Sequence, residues 1–385
     1  MARHNNPRIA TDGLVFYYDM ENTKKSWKGA PTTNLVINPR FLEGLWASVW
    51  SSQNGTPVLT NQTYNGGRVA RVQPTVTGQN GLTSTYGVSI PAGSVVTLSL
   101  DVRGAGLNYL YLMRSGQTNL RFDNINTSSS TEFARYQTTL TNTVTANCAV
   151  LIASNIPAGS WFEFTNVQLE SRPFGTPFVD GTRTDTQTLL DLTENNVLTA
   201  SSLTYNSDGT FSFDGTQNFI SLPSIVMSRS SSSVSAWVKI NDFVTGKGSS
   251  GRTFLRENGD NFASMIAFYN GGYSFETNTN STPHEISGRT TGNISSASIA
   301  ANMWFYFTLV FNADIFTGYI NGVAAGTGTI TDSLTFNRIG DGTGLADAYP
   351  AFFKGSVSNF TYYNRALTET EVQQNFNALR GRFGI

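Results

Sequence analysis

The side chains best placed to do chemistry in this 385-residue chain are aromatic and neutral-polar. In "NYLYLMRSGQTN", Tyr109, Tyr111 and Met113 alternate with two leucines, so an extended backbone puts the three on one face. Arg114, Gln117 and Asn119 follow at once, and Trp46 and Trp50 stand in "GLWASVW". Aromatic rings beside a few fixed polar groups are what a sugar needs, rings for its C–H faces and donors for its hydroxyls. The competing role for Trp46, Tyr109 and Tyr111 is core, because one face of such a strand is buried. Two polar loops extend the set: "FLRENGDN" with Asn258 and Asp260, and "GDGTGLADAYPAFF" with Tyr349.

Catalytic patterns are sparse. Glycoside cleavage uses two carboxyl groups facing one bond, and the chain contains no Glu-x-Asp; Glu257 and Asp260 would point to opposite faces of a strand. The two histidines, His4 and His284, stand in polar surroundings without a triad or metal-site context. "GDGTG" lacks the lysine and following helix of a phosphate loop, so it reads as a turn. Asp341 and Asp347 are oxygen donors in a loop, the residue type a structural calcium takes. No organic cofactor is indicated. Binding is expected rather than catalysis.

Composition agrees. Charged residues make up 13% and the net charge is −1, which gives no field to draw in nucleic acid or an acidic membrane. The lone cysteine, Cys148, excludes an intrachain disulfide framework and lies in an alternating apolar run. "MARHNNPRIATDG" has no apolar segment of the export type, and no run approaches a membrane span.

The elements that must hold these residues are strands. Short apolar runs separated by Gly, Pro and Asn recur through 35–180 and again from about 185, the pattern of all-β sandwiches and jelly rolls. Residues 1–12 read as a polar arm without a core role, with Arg3 and Arg8 as candidate docking cations, and "RPFGTPFVDGTRTDTQ" reads as a linker. The exception is "YYNRALTETEVQQNFNALRG". Thr368 and Glu371 form a capping box, Val372, Phe376 and Leu379 make one apolar stripe, Arg380 and Arg382 suit the negative end, and Gly381 suits a left-handed cap.

Particular words carry resemblances. "FSFDGTQNFISLP", "SVSAWVKI", "MWFYFTLVFN", "GYINGVAAG", "RIGDG" and "FKGSVSNFTYYNRALTETEVQQNF" make 185–385 resemble the laminin-G-like, concanavalin A-like lectin sandwich. In that setting Trp237 is expected to fill a layer between sheets, and Asn321-Gly322 to close a hairpin. "GLVFYYDMEN" resembles the opening strand of the same family, but its continuation appears only at 189. The reading is therefore an all-β chain of two antiparallel sandwiches, one inserted in the other, with a short C-terminal helix. Residues 13–33 start the host, 34–182 are a visiting domain, and 183–385 finish the host, with 13–20 paired antiparallel to 356–363. The alternative is tandem domains with 13–20 in the first.

The insert resembles galactose-binding-like jelly rolls of carbohydrate-binding modules, through "NLVINPRFLEGLWASVW", "GSVVTLSLDVRG" and "GSWFEFTNVQLE…TPFVDGTRT". That family's structural calcium uses a Glu and an Asp at places where this chain has Leu42 and Asn166, with Glu43 displaced by one. The short polar start, the lack of an export-type segment, the interrupted lectin-like sandwich and the ending "YNRALTETEVQQNFNALRGRFGI" together resemble bacteriophage virion proteins such as tail fibres, head fibres and capsid decorations. This implies synthesis in the host cytoplasm, a place on the virion, and contacts with other virion proteins and host-surface glycans. The charge balance and the lack of a long apolar run argue for no nucleic-acid partner and no membrane insertion, and a homo-oligomer is compatible with this reading. The alternatives are a structural capsid or baseplate part using these domains for protein contacts, and a glycan-degrading enzyme, which the missing carboxylate pair disfavours.

Overall fold

The computed structural model describes residues 8–20, 22, 25–42, 50–53, 58–73, 80–104, 109–122, 130–154, 157–201, 203–205, 211–216, 218–243, 251–257, 265–269, 272–276, 291–295, 298–341 and 351–385. The chain divides into two compact units, Met1–Ala30 with Asp185–Ile385, and Pro31–Thr184. The first unit is thus discontinuous in sequence.

The first unit is built on two eight-stranded sheets. At the centre of one, Ser231–Ile240 pairs antiparallel with both Trp304–Asn312 and Lys354–Tyr363. The strand expected to open the fold does so: Leu14–Asp19 runs antiparallel to Lys354–Tyr363, with Phe16 opposite Tyr362 and Tyr18 opposite Phe360. Phe16 and Tyr18 alternate inward, and both are fully buried in the core shared by the two sheets. The Asn321-Gly322 hairpin also forms, both residues at positive φ (51° and 79°) between the paired Ile320 and Val323.

The helix Glu369–Leu379 has the capping box and buries Val372, Phe376 and Leu379. Its stripe covers Trp237, which corrects the expected place of that ring. Val234, Ala236 and Val238 face the space between the sheets, so period-2 alternation sends Trp237 to the opposite side. There the indole lies 5.5 Å from Phe376 and 4.2 Å from Phe383, both stacked. A second, smaller core lies between sheet and helix, which is why a β-chain carries a helix here. The helix end also differs from expectation. Gly381 lies in a 3-10 turn, Arg380–Arg382, and Gly384 takes the positive φ of 71°. Arg382 is drawn instead to the buried Asp19, donating to both carboxylate oxygens at 2.9 Å.

Residues 8–12 are no loose arm. Ala10 is buried beside Tyr363 and Val372. Its N–H donates to Asn375 Oδ1 at 2.7 Å, and its carbonyl accepts from the Tyr363 hydroxyl at 2.9 Å. Composition hid this because the anchoring bonds are made by the backbone.

Arg365 donates to both oxygens of Glu371, at 2.6 and 2.9 Å, and holds that carboxyl at about 2, well below its usual 4.5. A folded value below the unfolded one adds stability that is complete above about pH 4.5 and is lost as pH falls toward 2. Thermal melts of the wild type are therefore expected to lose midpoint across that window faster than those of Glu371→Gln. Thr368→Ala, which removes the helix cap, is expected to cost about 1 kcal/mol at neutral pH.

The second unit is a two-sheet sandwich. Its six-stranded sheet has the order Leu120–Arg121, Tyr109–Arg114, Ala146–Ser154, Asn80–Ser84, Trp50–Gln53, with Val88–Ile90 also paired to Ala146–Ser154. Its five-stranded sheet has the order Ser130–Thr141, Val95–Gly104, Phe162–Glu170, Gly67–Val72, Val58–Tyr64. Val96, Leu98, Leu100, Phe162 and Phe164 meet Leu82, Leu110, Leu112 and Ile152 in its core. Entry and exit are zipped together by Thr32–Thr33 paired with Thr182–Arg183. In the first unit, the Trp27–Leu189 bridge and Lys28 N–H donating to Thr188 O at 2.8 Å close the corresponding ends. Chain ends that close together tolerate removal of what lies between. A chain joining Ala30 to Asp185 through a short Gly-Ser linker is expected to melt cooperatively by circular dichroism.

Candidate functional site

The expected sugar-contact residues separate on the structure. Trp50 is buried against Phe41 (5.2 Å) with its indole N–H on Asn38 O. This corrects its assignment as a contact, because the ring is core. Arg114 is likewise internal at 5% exposure, donating to Thr118 O and to Thr143 Oγ1 at 2.9 Å, so it ties down the turn that follows it. Gln117 is exposed in that turn. The leucines are the core side of Tyr109–Arg114, which leaves Tyr111 half-buried on the outer side, opposite Leu151 and Arg121. Tyr109 opens the same strand opposite Ala153.

Asp341 is 2% exposed and its carboxylate faces Arg338 at 4.0 Å. Arg338 in turn stands directly across from the buried Arg256, whose pKa burial lowers and Asp341 supports. Asp341 is therefore an ion-pair partner of Arg338 and Arg256, and Asp347, its companion in the calcium reading, lies outside the described residues. Arg8 borders a cavity of about 930 Å³ with Ile9, Tyr17, Arg380 and Arg382. Arg3, Glu43, Asn258, Asp260, Asp347 and Tyr349 lie outside the described residues. Among the described residues, no group of three or more His, Cys, Asp or Glu side chains could hold a metal.

Among the described residues, a polar surface that no period in the sequence announces lies on the outer face of the second unit's five-stranded sheet. Alternation that sends Val96, Leu98, Leu100 and Val102 inward turns Thr97, Ser99, Asp101 and Arg103 outward. On Phe162–Glu170 the same parity turns out Glu163 and Thr165. A bulge follows, at Asn166 with φ 49°, before Gln168 and Glu170.

One part of this face is sealed by the segment 171–183. Glu170 accepts from Thr176 N–H and hydroxyl at 2.8 and 2.7 Å, Gln168 accepts from Val179 N–H at 2.7 Å, and Thr97 donates to Arg172 O. Burial pulls Arg183 down to about 10, with Glu170 opposing the shift. Asn166, at one of the calcium positions of the resembled family, spends its amide on Asp101 Oδ2 at 2.7 Å and Tyr64 O at 3.3 Å.

The other part is open. Arg71, Glu163 and Arg103 form one cross-strand row over three adjacent strands. Glu163 is fully buried, accepting from Arg71 Nε at 2.8 Å on one oxygen and from Arg103 Nε at 2.7 Å on the other. Each guanidinium also rests near an aromatic ring: Arg71 Cζ is 4.7 Å from the Trp161 centroid and Arg103 Cζ 4.5 Å from that of Phe133. Phe133 stacks on Tyr64 at 4.4 Å. These two rings come from the strands at opposite edges of the sheet, so they meet across its polar face. Gly104, at φ +99°, leaves room for Trp161, since a Cβ there would lie 2.8 Å from the ring.

With both oxygens held by cations and no exposure, Glu163 cannot be offered to a substrate as acid, base or nucleophile. Its chemical effect is to fix two guanidiniums.

A comparison with protein families bears on the other unit. Residues 214–373 match the Concanavalin A-like lectin/glucanases superfamily. The match runs from the strand Phe211–Asp214 through Lys354–Tyr363 into the terminal helix and leaves out Leu14–Asp19, which the fold adds to the same sheet. No curated protein matches the chain in sequence. Similar solved structures include domain 4 of AbnA, a GH43 extracellular arabinanase from Geobacillus stearothermophilus, in complex with arabinotriose, at 21% identity and TM-score 0.37, covering 50% of this chain and 92% of that one. Another is the botulinum neurotoxin serotype D binding domain, at 15% identity and TM-score 0.37, covering 50% of each chain. The chain thus spans about half the length of that neurotoxin domain.

Proposed function

We propose that this protein is a non-catalytic carbohydrate-binding protein, carried on a bacteriophage virion and turned toward host-surface glycans. The observation that carries the binding reading is the open row Arg71–Glu163–Arg103, rimmed by Trp161, Phe133 and Tyr64. A sandwich needs no buried carboxylate on the outer side of a sheet, and holding one there is costly unless it is paired. Fixed polar groups among aromatic rings are how proteins orient sugars. The lectin-superfamily match of 214–373 agrees with this reading. The virion reading rests on the resemblance carried by the polar start, the interrupted lectin-like sandwich and the words "YNRALTETEVQQNFNALRGRFGI".

The test is a glycan array and a host-cell pull-down with the full chain, beside Arg71→Gln. Binding that the variant loses is expected. Absence of binding to any polysaccharide would leave the structural role, and release of reducing ends would restore the enzymatic one. Density for the two sandwiches in electron micrographs of the particle tests the location.

A further inference from the structure

We infer that the open row takes an acidic saccharide, one bearing a carboxylate or a sulfate ester, and that Arg71 is the residue that receives the anion. The inference rests on the carbohydrate-binding reading above and deepens it. The argument is an inventory of donors and acceptors. Every nitrogen of Arg103 has a protein partner: Nε on Glu163, Nη1 on Thr131 O at 3.3 Å, and Nη2 on Gln62 Oε1. Arg71 is not. Its Nε is spent on Glu163, its side chain keeps 33% exposure, and its Nη1 and Nη2 have no protein partner among the described residues.

The acceptors are used as well. Both oxygens of Glu163 accept from arginines and the residue has no exposed surface, and the Gln62 amide oxygen already accepts from Arg103. The row therefore presents more free donors than accessible acceptors, and its two guanidiniums and one carboxylate sum to a net charge of +1. A neutral sugar hydroxyl is donor and acceptor at once, and its proton would find no accessible carboxylate oxygen in the row, because Glu163 is fully buried. A carboxylate or sulfate needs only acceptance, and two parallel N–H groups on one planar guanidinium match it in the fork geometry. The remaining freedom of Arg71 is small. Glu163 fixes Nε and Trp161 supports the plane, so little rotamer entropy is lost on binding.

The experiment uses the full chain in affinity electrophoresis and calorimetry at about 0.15 M salt, where diffuse attraction is screened. The probes are polygalacturonate, the same polymer after carboxyl reduction, dextran sulfate and plain dextran. Polygalacturonate, dextran sulfate or both are expected to bind, and which of them does separates carboxylate from sulfate. Reduction of the carboxyl groups, or Arg71→Gln, is expected to weaken binding about ten- to a hundredfold, the loss of a charge-assisted hydrogen-bonded pair. Arg71→Lys keeps the charge without the fork and is expected to fall between. Should Arg71→Gln fail to fold, the native-against-reduced comparison on the wild type decides alone. Equal binding of native and reduced polymer would overturn the acidic preference and leave the carbohydrate reading standing. No binding of any probe, together with an empty glycan array, would remove both.

Discussion

Phe16→Ala is expected to destabilise the first unit by roughly 3–5 kcal/mol, the range for emptying an aromatic site in a packed core. Phe16 has no exposed surface, and its ring meets Phe360 at 5.6 Å and Tyr18 at 6.1 Å. It belongs to a strand separated by a whole second unit from the strand it pairs with, yet its side chain lies in the same core as Phe254, Phe336 and Phe360. If the opening segment only decorated the edge of a sandwich complete without it, the cost would fall below about 1 kcal/mol. Hydrogen exchange of Ser231–Ile240 and Lys354–Tyr363 reads the effect in that unit specifically, because their amides open with the first unit's core. Tyr18→Phe should move the other way. The Tyr18 hydroxyl is buried without a partner among the described residues, and removing an unsatisfied polar group recovers about 1 kcal/mol or more.

The contrast between Phe16 and Trp237 shows which parts of the fold are legible in a sequence. The pairing of Leu14–Asp19 with Lys354–Tyr363 was readable because a strand word stood 170 residues ahead of the continuation it resembles, and a lone edge strand needs a partner. The capping box was readable because its two bonds span three residues. Trp237 was misplaced because alternation gives two faces and does not say which is interior. The chain buries both faces of Ser231–Ile240, one against the second sheet and one beneath the helix, so nearly all of its residues read as core. Arg380 and Arg382 show a similar limit. A local rule assigns them to the helix end, and a distant Asp19 claims Arg382.

Long-range register hid the candidate site too. "RVARV", "SLDVRG" and "SWFEF" each place a charged residue on the non-core parity of a strand, and that much was visible. Nothing in the words says that Arg71, Glu163 and Arg103 fall side by side, since that depends on how three strands 30 to 90 residues apart are aligned. Arg114, by contrast, looked like a contact because it ended an aromatic strand. Its partners are carbonyls and hydroxyls of its own turn and of the Asn142–Thr143 loop, which no period in the sequence announces.

Glu163→Ala is expected to cost the second unit roughly 3–5 kcal/mol, because removing one member of a buried ionic group leaves the others uncompensated. The lower end of that range applies, since Arg71 and Arg103 keep 33% and 21% exposure and recover some hydration. The loss should appear in urea unfolding as a lower midpoint with an unchanged slope. The replacement of all three, Arg71→Met, Glu163→Leu and Arg103→Met, should behave differently. Exchanging a buried ionic group for apolar side chains of similar volume is often neutral or stabilising by about 1–4 kcal/mol. A triple variant as stable as the wild type would mean that the row is not kept for stability. If the same variant no longer retained an acidic polysaccharide, the charges of the row would be accounted for by the ligand.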